Sequence, residues 1–301
     1  MTAEQTAFQA GVAVPLANSI CRVLAPNPSP MTYHGTNSYL VGEQELAVID
    51  PGPDLPDHLT ALLAAIDGRR VSHILITHSH LDHSPLAAAL SRETGAPIYA
   101  FGPSDAGQSP IMRELAAKGL TGGGEGVDHN FRPDILLTDG ETVAGRDWQI
   151  TAHHTPGHFG NHLCFAFGEH IFSGDLVMDW ATSLVSPPDG DLTDFRASCR
   201  AMRDLNAKIL WPGHGGPVQN PKSRIDWLLN HRQDREDQII AALSEGKQTA
   251  ATLTKTIYTD IQPALWPMAE RNVFAHLIDL YARNRISAEP ELSIHAEFAL
   301  M

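Results

Sequence analysis

Residues 77–83 read Thr77-His78-Ser79-His80-Leu81-Asp82-His83 and follow the apolar run Ile74-Leu75-Ile76. In an extended segment, side chains two residues apart point the same way, so His78 and His80 can reach one metal ion together. Asp82 and His83 fall where the backbone turns from the strand towards a helix. These two side chains can therefore face a second ion close to the first.

Three later segments repeat one local pattern, in which an apolar strand runs into a glycine-containing turn that carries a potential ligand. They are Thr155-Pro156-Gly157-His158, Phe172-Ser173-Gly174-Asp175 and Trp211-Pro212-Gly213-His214-Gly215. Glycine lets the chain turn sharply and approach an ion with no side chain in the way. Each ligand candidate alone could equally be structural, but together with residues 77–83 the three indicate a metal site.

The donors of this set are imidazole nitrogens and carboxylate oxygens. Such a nitrogen-rich set suits zinc and also accommodates iron or manganese. The three cysteines, Cys21, Cys164 and Cys199, stand far apart, so they support neither a disulfide framework nor a thiolate site. Two divalent ions about 3.5–4 Å apart can share a carboxylate and a water, which then loses a proton near neutral pH. We therefore expect two divalent ions per chain and a hydroxide between them as the nucleophile.

Composition limits the classes of protein to which the chain can belong. With 301 residues, 43% of them hydrophobic, the chain can form one large domain, or one with a small appendage. No run approaches the roughly 20 apolar residues of a membrane helix, and residues 1–14 lack the order of a signal peptide, so we expect a cytoplasmic protein. Lys and Arg total 21 against 35 Asp and Glu. This balance argues against a broad nucleic-acid surface but leaves a local basic patch open.

The chain divides into two patterns. Up to residue 220, short β-rich runs alternate with helical stretches, which predicts a mixed α/β domain. One of those helices should be capped by Ser84 and begin at Pro85. From residue 221 to residue 301 the pattern is helical, with a long charged helix that Gly246 stops, two further helices and a short strand at Ile286. We interpret this second part as a small winged-helix-like domain.

These residues resemble the metallo-beta-lactamase superfamily, and the match runs from about Thr36 to Ile286. The stretches Gly35–Gly42, Ile49–Gly52 and Pro212–Val218 are similar to those of the beta-lactamase-like protein 2 group. So is the tail, which begins with His231-Arg232-Gln233-Asp234-Arg235-Glu236. The resemblance implies an α+β fold, a four-layer αβ/βα sandwich with its site at one edge of the paired sheets.

The resemblance also implies the role of each ligand. His78, His80 and His158 would hold the first metal, Asp82, His83 and His214 the second, and Asp175 would bridge the two. Asp82 and Asp175 are the residues to which we assign a catalytic part. The zinc beta-lactamases proper lack the bridging aspartate, so Asp175 argues against antibiotic hydrolysis as the native role.

Three further features lie near the ligand segments. Asp50 could fix the tautomer of a ligand imidazole or equally cap a turn. His162 could orient substrate, although a core position is favoured by about two to one for such histidines. The segment Trp180–Asp191 is expected to be a long loop that walls the pocket, with Trp180 as an apolar contact.

Two functions are compatible with these residues. The leading hypothesis is hydrolysis of an ester, thioester or lactone of a small molecule, in which hydroxide attacks the carbonyl carbon. The alternative is an endoribonuclease or other phosphodiesterase, with RNA as partner and the C-terminal part as a binding surface. The oligomeric state cannot be determined from the sequence.

Overall fold

The first 220 residues build two β-sheets. The computed structural model describes residues 8–123, 126–259, 261–262 and 265–301. The first sheet has seven strands in chain order, antiparallel from β1 to β4 and parallel from β4 to β7. Its strands are β1 (Ala13–Ala17), β2 (Ile20–Leu24), β3 (Asn37–Val41), β4 (Glu45–Ile49), β5 (Arg70–Leu75), β6 (Ile98–Ala100) and β7 (Ile135–Leu136).

The second sheet has five strands in the order β12-β11-β10-β9-β8. They are β8 (Thr142–Ala144), β9 (Gln149–His154), β10 (Leu163–Phe167), β11 (His170–Gly174) and β12 (Ile209–Pro212). All neighbours pair antiparallel except β11 and β12, which are parallel. A parallel pair needs a crossover connection, and here a long loop and a helix supply it.

Helices cover the outer face of each sheet. The helices are α1 (Pro56–Ile66), α2 (Ala87–Thr94), α3 (Pro110–Ala117), α4 (Leu192–Asp204), α5 (Pro221–Ser244), α6 (Ala250–Ile257) and α7 (Trp266–Ala282). Leu62 of α1 and Leu90 of α2 are buried with Val48 of the first sheet. Phe195 of α4 and Ile225 of α5 are buried in the cluster that covers the second sheet.

A further core lies between the two sheets. Ile49 and Leu75 of the first sheet are buried in one cluster with Phe165 and Phe172 of the second. Strand β4 is buried along its whole length, as expected for a strand covered on both faces. The order of layers is helix, sheet, sheet, helix, which confirms the predicted α+β sandwich.

The C-terminal part contains more strand than the sequence indicated. Alongside α6 and α7 it has a three-stranded sheet in the order β13-β15-β14. Its strands are β13 (Gln248–Thr249), β14 (Ile286–Glu289) and β15 (Glu297–Leu300). Only β14 was expected; the other two carry no long apolar run and form because the hairpin β14–β15 packs Phe298 into the C-terminal core.

Helix α5 contributes to two cores. Its first half buries Ile225 and Leu228 against the second sheet, and its second half buries Ile239 and Leu243 among α7 and the small sheet. The boundary between residues 1–220 and 221–301 therefore stays a prediction. Within the described residues, no helix is both long and apolar enough to cross a bilayer.

One predicted helix start was wrong. Helix α2 begins at Ala87, and no side chain caps it. The Ser84 hydroxyl instead donates to Asp128 Oδ2 at 2.9 Å. The residues between the histidine motif and α2 form a turn, in which the Ser84 amide donates to the His80 carbonyl.

Candidate metal centre

All seven predicted ligands meet at one edge of the paired sheets. The residues are His78, His80, Asp82, His83, His158, Asp175 and His214, and none is more than 6% exposed. Each segment leaves the end of a strand: β5 for the histidine motif, then β9, β11 and β12. The antiparallel β9–β10 pair and the parallel β11–β12 pair bring these ends together, because they fix which strand ends are neighbours.

The first group of potential ligands consists of three histidines. His80 Nδ1 lies 3.0 Å from His78 Nε2 and 3.1 Å from His158 Nε2. His78, His80 and His158 have donor atoms close enough together to hold one ion.

The second group consists of Asp82, His83 and His214, whose donor atoms also lie close enough together for one ion. His214 Nε2 lies 3.1 Å from Asp82 Oδ2 and 3.3 Å from His83 Nε2. Asp175 lies between the groups, with Oδ2 at 3.3 Å from His214 Nε2 and 3.7 Å from His158 Nε2. This placement supports the bridging role proposed for Asp175.

Hydrogen bonds outside the cluster fix the tautomers of the ring nitrogens. His158 Nδ1–H donates to the Leu184 carbonyl at 2.7 Å, and His214 Nδ1–H donates to the Gly35 carbonyl at 3.1 Å. His83 Nδ1–H donates to Asp50 Oδ2 at 2.9 Å. Each of these bonds leaves the Nε2 lone pair directed into the cluster, the form in which imidazole binds a metal.

Asp50 orients two candidate ligands, His83 directly and His78 through Thr77. Besides His83, it accepts the Thr77 hydroxyl at 2.6 Å and the Thr77 amide at 2.7 Å. Because that hydroxyl donates to Asp50, its oxygen is free to accept His78 Nδ1–H at 3.0 Å. Of the two roles open from the sequence, Asp50 takes the one that orients ligand imidazoles.

His162 lies behind the cluster and does not line the cavity in front of it. Its Nε2 accepts the Asp175 backbone amide at 3.2 Å, so Nδ1–H donates to Thr155 Oγ1 at 2.9 Å. The side chain is fully buried. The sequence favoured a core position for His162, and the structure confirms it. From that position the ring also fixes the Asp175 backbone.

Burial and neighbouring charges explain the protonation of the cluster. Burial, reinforced by neighbouring imidazoles, lowers the pKa of His80 to about 3 and holds the pKa of His78 well below its usual value. Burial also opposes protonation of His214, but the carboxylates of Asp175 and Asp82 outweigh it and raise the pKa of His214 to about 10. The first group is thus neutral, while the second attracts positive charge.

The donor set fits divalent metal ions. In the first group, lone pairs of neutral rings converge at 3.0–3.1 Å, and His80 can donate to only one of its two neighbours. The carboxylate atoms Asp82 Oδ1 and Asp175 Oδ1 are buried with no hydrogen-bond partner among the described residues. Buried anionic oxygens without partners are costly, and a shared cation satisfies both them and the imidazole lone pairs.

The cluster opens into a cavity of about 280 Å³. His80, Asp82, His158, Asp175 and His214 form its floor. The loop before α4 forms one wall, as predicted for the segment from Trp180; the wall residues are Met178, Trp180, Ala181, Thr182 and Leu184.

The opposite wall comes from the C-terminal part and was not foreseen. It consists of Tyr258, Ile261, Leu265, Met268, Ala269 and Asn272. Apolar residues on a helix such as α7 indicate a buried face, but the sequence does not show which other element that face meets. No signal in the sequence links these positions to the histidine motif.

Comparison with known proteins agrees with this geometry. The Metallo-beta-lactamase superfamily profile matches residues 31–214. The chain belongs to the metallo-beta-lactamase superfamily. The profile of the beta-lactamase associated winged helix domain matches residues 249–292, which confirms the predicted C-terminal winged helix.

Relatives within the superfamily support the predicted subgroup. The chain is 29% identical over 297 residues to a beta-lactamase-like protein 2 homolog of Drosophila melanogaster, covering 93% of this chain and 95% of the relative. It is 30% identical over 246 residues to the atrochrysone carboxyl ACP thioesterase of Aspergillus fumigatus, covering 79% and 69%. A solved metallo-beta-lactamase family protein of Thermus thermophilus matches with a TM-score of 0.76 and 21% identity, covering 95% and 100%. The protein is a superfamily hydrolase with a histidine and aspartate cluster suited to metal binding.

Proposed function

We propose that the protein hydrolyses an ester, thioester or lactone of a small molecule, using two divalent ions. His78, His80 and His158 would hold the first ion, and Asp82, His83 and His214 the second, with Asp175 shared between them. The donor set makes zinc the first expectation, and iron and manganese are also compatible. When bound, such ions lower the pKa of a water and polarise a carbonyl oxygen.

The observation that carries the proposal is the cavity, which places the ligand cluster at the floor of a largely apolar chamber. A cavity of about 280 Å³ suits a small ligand, and its apolar walls favour an uncharged organic group. The thioesterase activity in the name of the fungal relative supports this reaction class.

Other groups of the chain hold the candidate ligands in place. Asp82 lines the cavity, and its buried Oδ1, which has no hydrogen-bond partner among the described residues, would be satisfied by a bound ion. Asp50 and the Leu184 and Gly35 carbonyls hold three ligand rings in one tautomer. Preorganised rings need no rearrangement during reaction, which is the main contribution of such contacts to the rate.

RNA cleavage, the alternative, receives no support from the cavity. Its described lining includes neither Lys nor Arg. A formal net charge of −14 repels a polyanion over about 8 Å at physiological salt. A small acyl substrate meets no such barrier.

A substrate panel on metal-defined protein tests the proposal. We expect aryl esters, thioesters or lactones to be cleaved faster than single-stranded RNA or bis(p-nitrophenyl) phosphate. Metal-stripped protein and His80→Ala serve as controls for contaminating enzymes. If RNA is cut in a His80-dependent way while no carbonyl substrate is turned over, the acyl-hydrolase proposal is wrong and the protein is a phosphodiesterase.

The C-terminal wall can be tested on the same substrates. Met268 lines the cavity from α7, and Met268→Lys places a charge in the apolar wall. We expect KM for apolar esters to rise about tenfold or more with kcat little changed, since the wall binds substrate without touching the reacting atoms. Met268→Leu keeps the volume and polarity and should retain the native KM.

A further inference from the structure

The tail motif from His231 to Glu236 places a buried arginine in the middle of α5. Arg232 is 2% exposed, among the largest fully buried side chains. Burying a guanidinium is costly unless its donors are satisfied; Arg232 Nε has no hydrogen-bond partner among the described residues, so the contacts of the two Nη atoms hold the group. Arg196, another buried arginine of this core, pairs with the carboxylates of Glu236 and Asp279. Within the described part of the chain, no ion pair involves Arg232. Its guanidinium instead donates hydrogen bonds to uncharged groups.

Arg232 joins two segments that lie far apart in sequence. Its Nη2 donates to the Ser183 carbonyl, and its Nη1 donates to Asn272 Oδ1 of α7 at 3.0 Å. The same Asn272 oxygen accepts the Val185 amide at 3.3 Å. The guanidinium and one amide side chain therefore hold the backbone on both sides of Leu184.

The backbone carbonyl of Leu184 orients the candidate ligand His158. Its carbonyl accepts His158 Nδ1–H at 2.7 Å, and this bond leaves His158 Nε2 directed at His80. Ser183 and Val185 are fully buried, so the short segment 183–185 cannot exchange its protein contacts for water without moving. Fixing the backbone at 183 and 185 fixes the direction of the carbonyl at 184.

We propose that Arg232, with Asn272, is a positioning residue for His158, through which the C-terminal part sets the metal affinity of the first ligand group. The proposal rests on the metal site proposed above and is independent of the substrate. Arginine suits the task because its planar fork presents two donors in a fixed geometry, one for each segment. Lysine keeps the charge but offers a single point of attachment.

Metal affinity is the measurement that tests this inference. Arg232→Met and Arg232→Lys are compared with the wild type by competition with a chelator for zinc, and by the visible spectrum of the cobalt-loaded protein. We expect affinity for the ion held by His78, His80 and His158 to fall about 10-fold or more in both variants, as when a partner of a ligand is lost. The cobalt spectrum should change in the same direction as in His158→Ala.

Arg196→Met is the matched control. Arg196 is a buried arginine of the same core. Its Nη1 donates to the carboxylates of Glu236 and Asp279, which Arg283 also neutralises, and its Nη2 donates to the Arg232 backbone carbonyl at 3.2 Å. Among the described residues it makes no hydrogen bond to segment 183–185 or to Asn272, the groups that the Arg232 side chain holds. Both arginine variants should lower thermal stability, but only the Arg232 variants should lower metal affinity. Equal loss of affinity in Arg196→Met and Arg232→Met, or no loss in either, overturns the proposal.

Asn272→Ala decides the matter if the Arg232 variants do not fold. It removes the acceptor shared by Arg232 and the Val185 amide while leaving the arginine in place. A fall in chelator-competed affinity supports the proposal, and full affinity contradicts it. A wild type that binds metal but turns over no carbonyl substrate would refute the proposed reaction and leave this inference standing.

Discussion

At the scale of single residues, Asp50 and Asp175, two of the aspartates within 4 Å of His83, differ in what they contact. Asp175 contacts both ligand groups, whereas Asp50 contacts a ring nitrogen of His83 that points away from the cluster, together with Thr77. A residue between two ions sets their spacing, while a partner of a ligand sets only its orientation. The two carboxylates are therefore not equivalent, although both are buried in the same site.

Asp175→Ala should lower activity more than Asp50→Ala does. Loss of the ligand partner Asp50 should cost about 10–100-fold, and loss of the shared carboxylate more than that. Rates and metal content have to be measured on both variants. Equal losses at full metal occupancy would show that Asp175 does not bridge.

His58 gives the native state a pH dependence away from the metal site. Burial lowers the pKa of His58 in α1 to about 4, and its Nε2 lies 2.9 Å from Ser38 Oγ. The unfolded chain, with a histidine pKa of about 6.5, binds the proton more readily, so stability falls as pH drops from about 6.5 to about 4. The total loss from this group is about 3 kcal/mol.

His58→Gln should remove that part of the pH dependence. Urea unfolding at several pH values between about 4 and 7 measures it as the difference between wild type and variant, so histidines common to both cancel. Parallel curves for the two proteins would mean that His58 is protonated in the native state at no cost.

At the scale of elements, the turns that follow the strand ends carry the candidate ligands, and the strands themselves carry none of them. Strand β12 ends at Pro212, and Gly213 and His214 follow in the turn. Asn37 Nδ2 of β3 donates to the Pro212 carbonyl at 2.9 Å. A Cβ on Gly213 would lie 2.4 Å from Asp175 Oδ1 and 2.6 Å from His83 Cε1. The turn thus needs glycine because two ligands occupy the space of a side chain.

Gly213→Ala should lower metal content, since the new methyl group has to displace His83 or Asp175. Elemental analysis measures the loss. Gly216→Ala is the control from the same turn, because among the described residues a Cβ there would have only Phe8 Cζ within 4 Å, at 3.8 Å. Full metal content in Gly213→Ala would mean that the ligands tolerate the shift.

At the scale of the whole molecule, the candidate ligands come from both sheets, so bound ions would link the sheets. The ligands come from strands of both sheets, so ions held by them favour the folded state over the unfolded chain. Elemental analysis should approach two ions per chain, and removing them should lower the midpoint of thermal unfolding. A reproducible maximum of one ion, after reconstitution with excess zinc, iron or manganese, would contradict the dinuclear proposal.

Local sequence determined much of the protein. The spacing of His78 and His80 on a strand end, and glycine beside His158, Asp175 and His214, are local features, so the candidate ligands that the structure brings together could be named without a structure. The alternation of strands and helices predicted a mixed α/β domain, and the family resemblance implied its four layers.

Tertiary structure alone decided the surroundings of the ligands. The Leu184 and Gly35 carbonyls are backbone groups with no sequence signal, and they become partners of His158 and His214 only once distant segments meet. The cavity wall from Met268 and the buried fork of Arg232 likewise depend on where α5 and α7 pack. Local patterns specify which residues can bind, whereas long-range packing specifies what orients them and what they face.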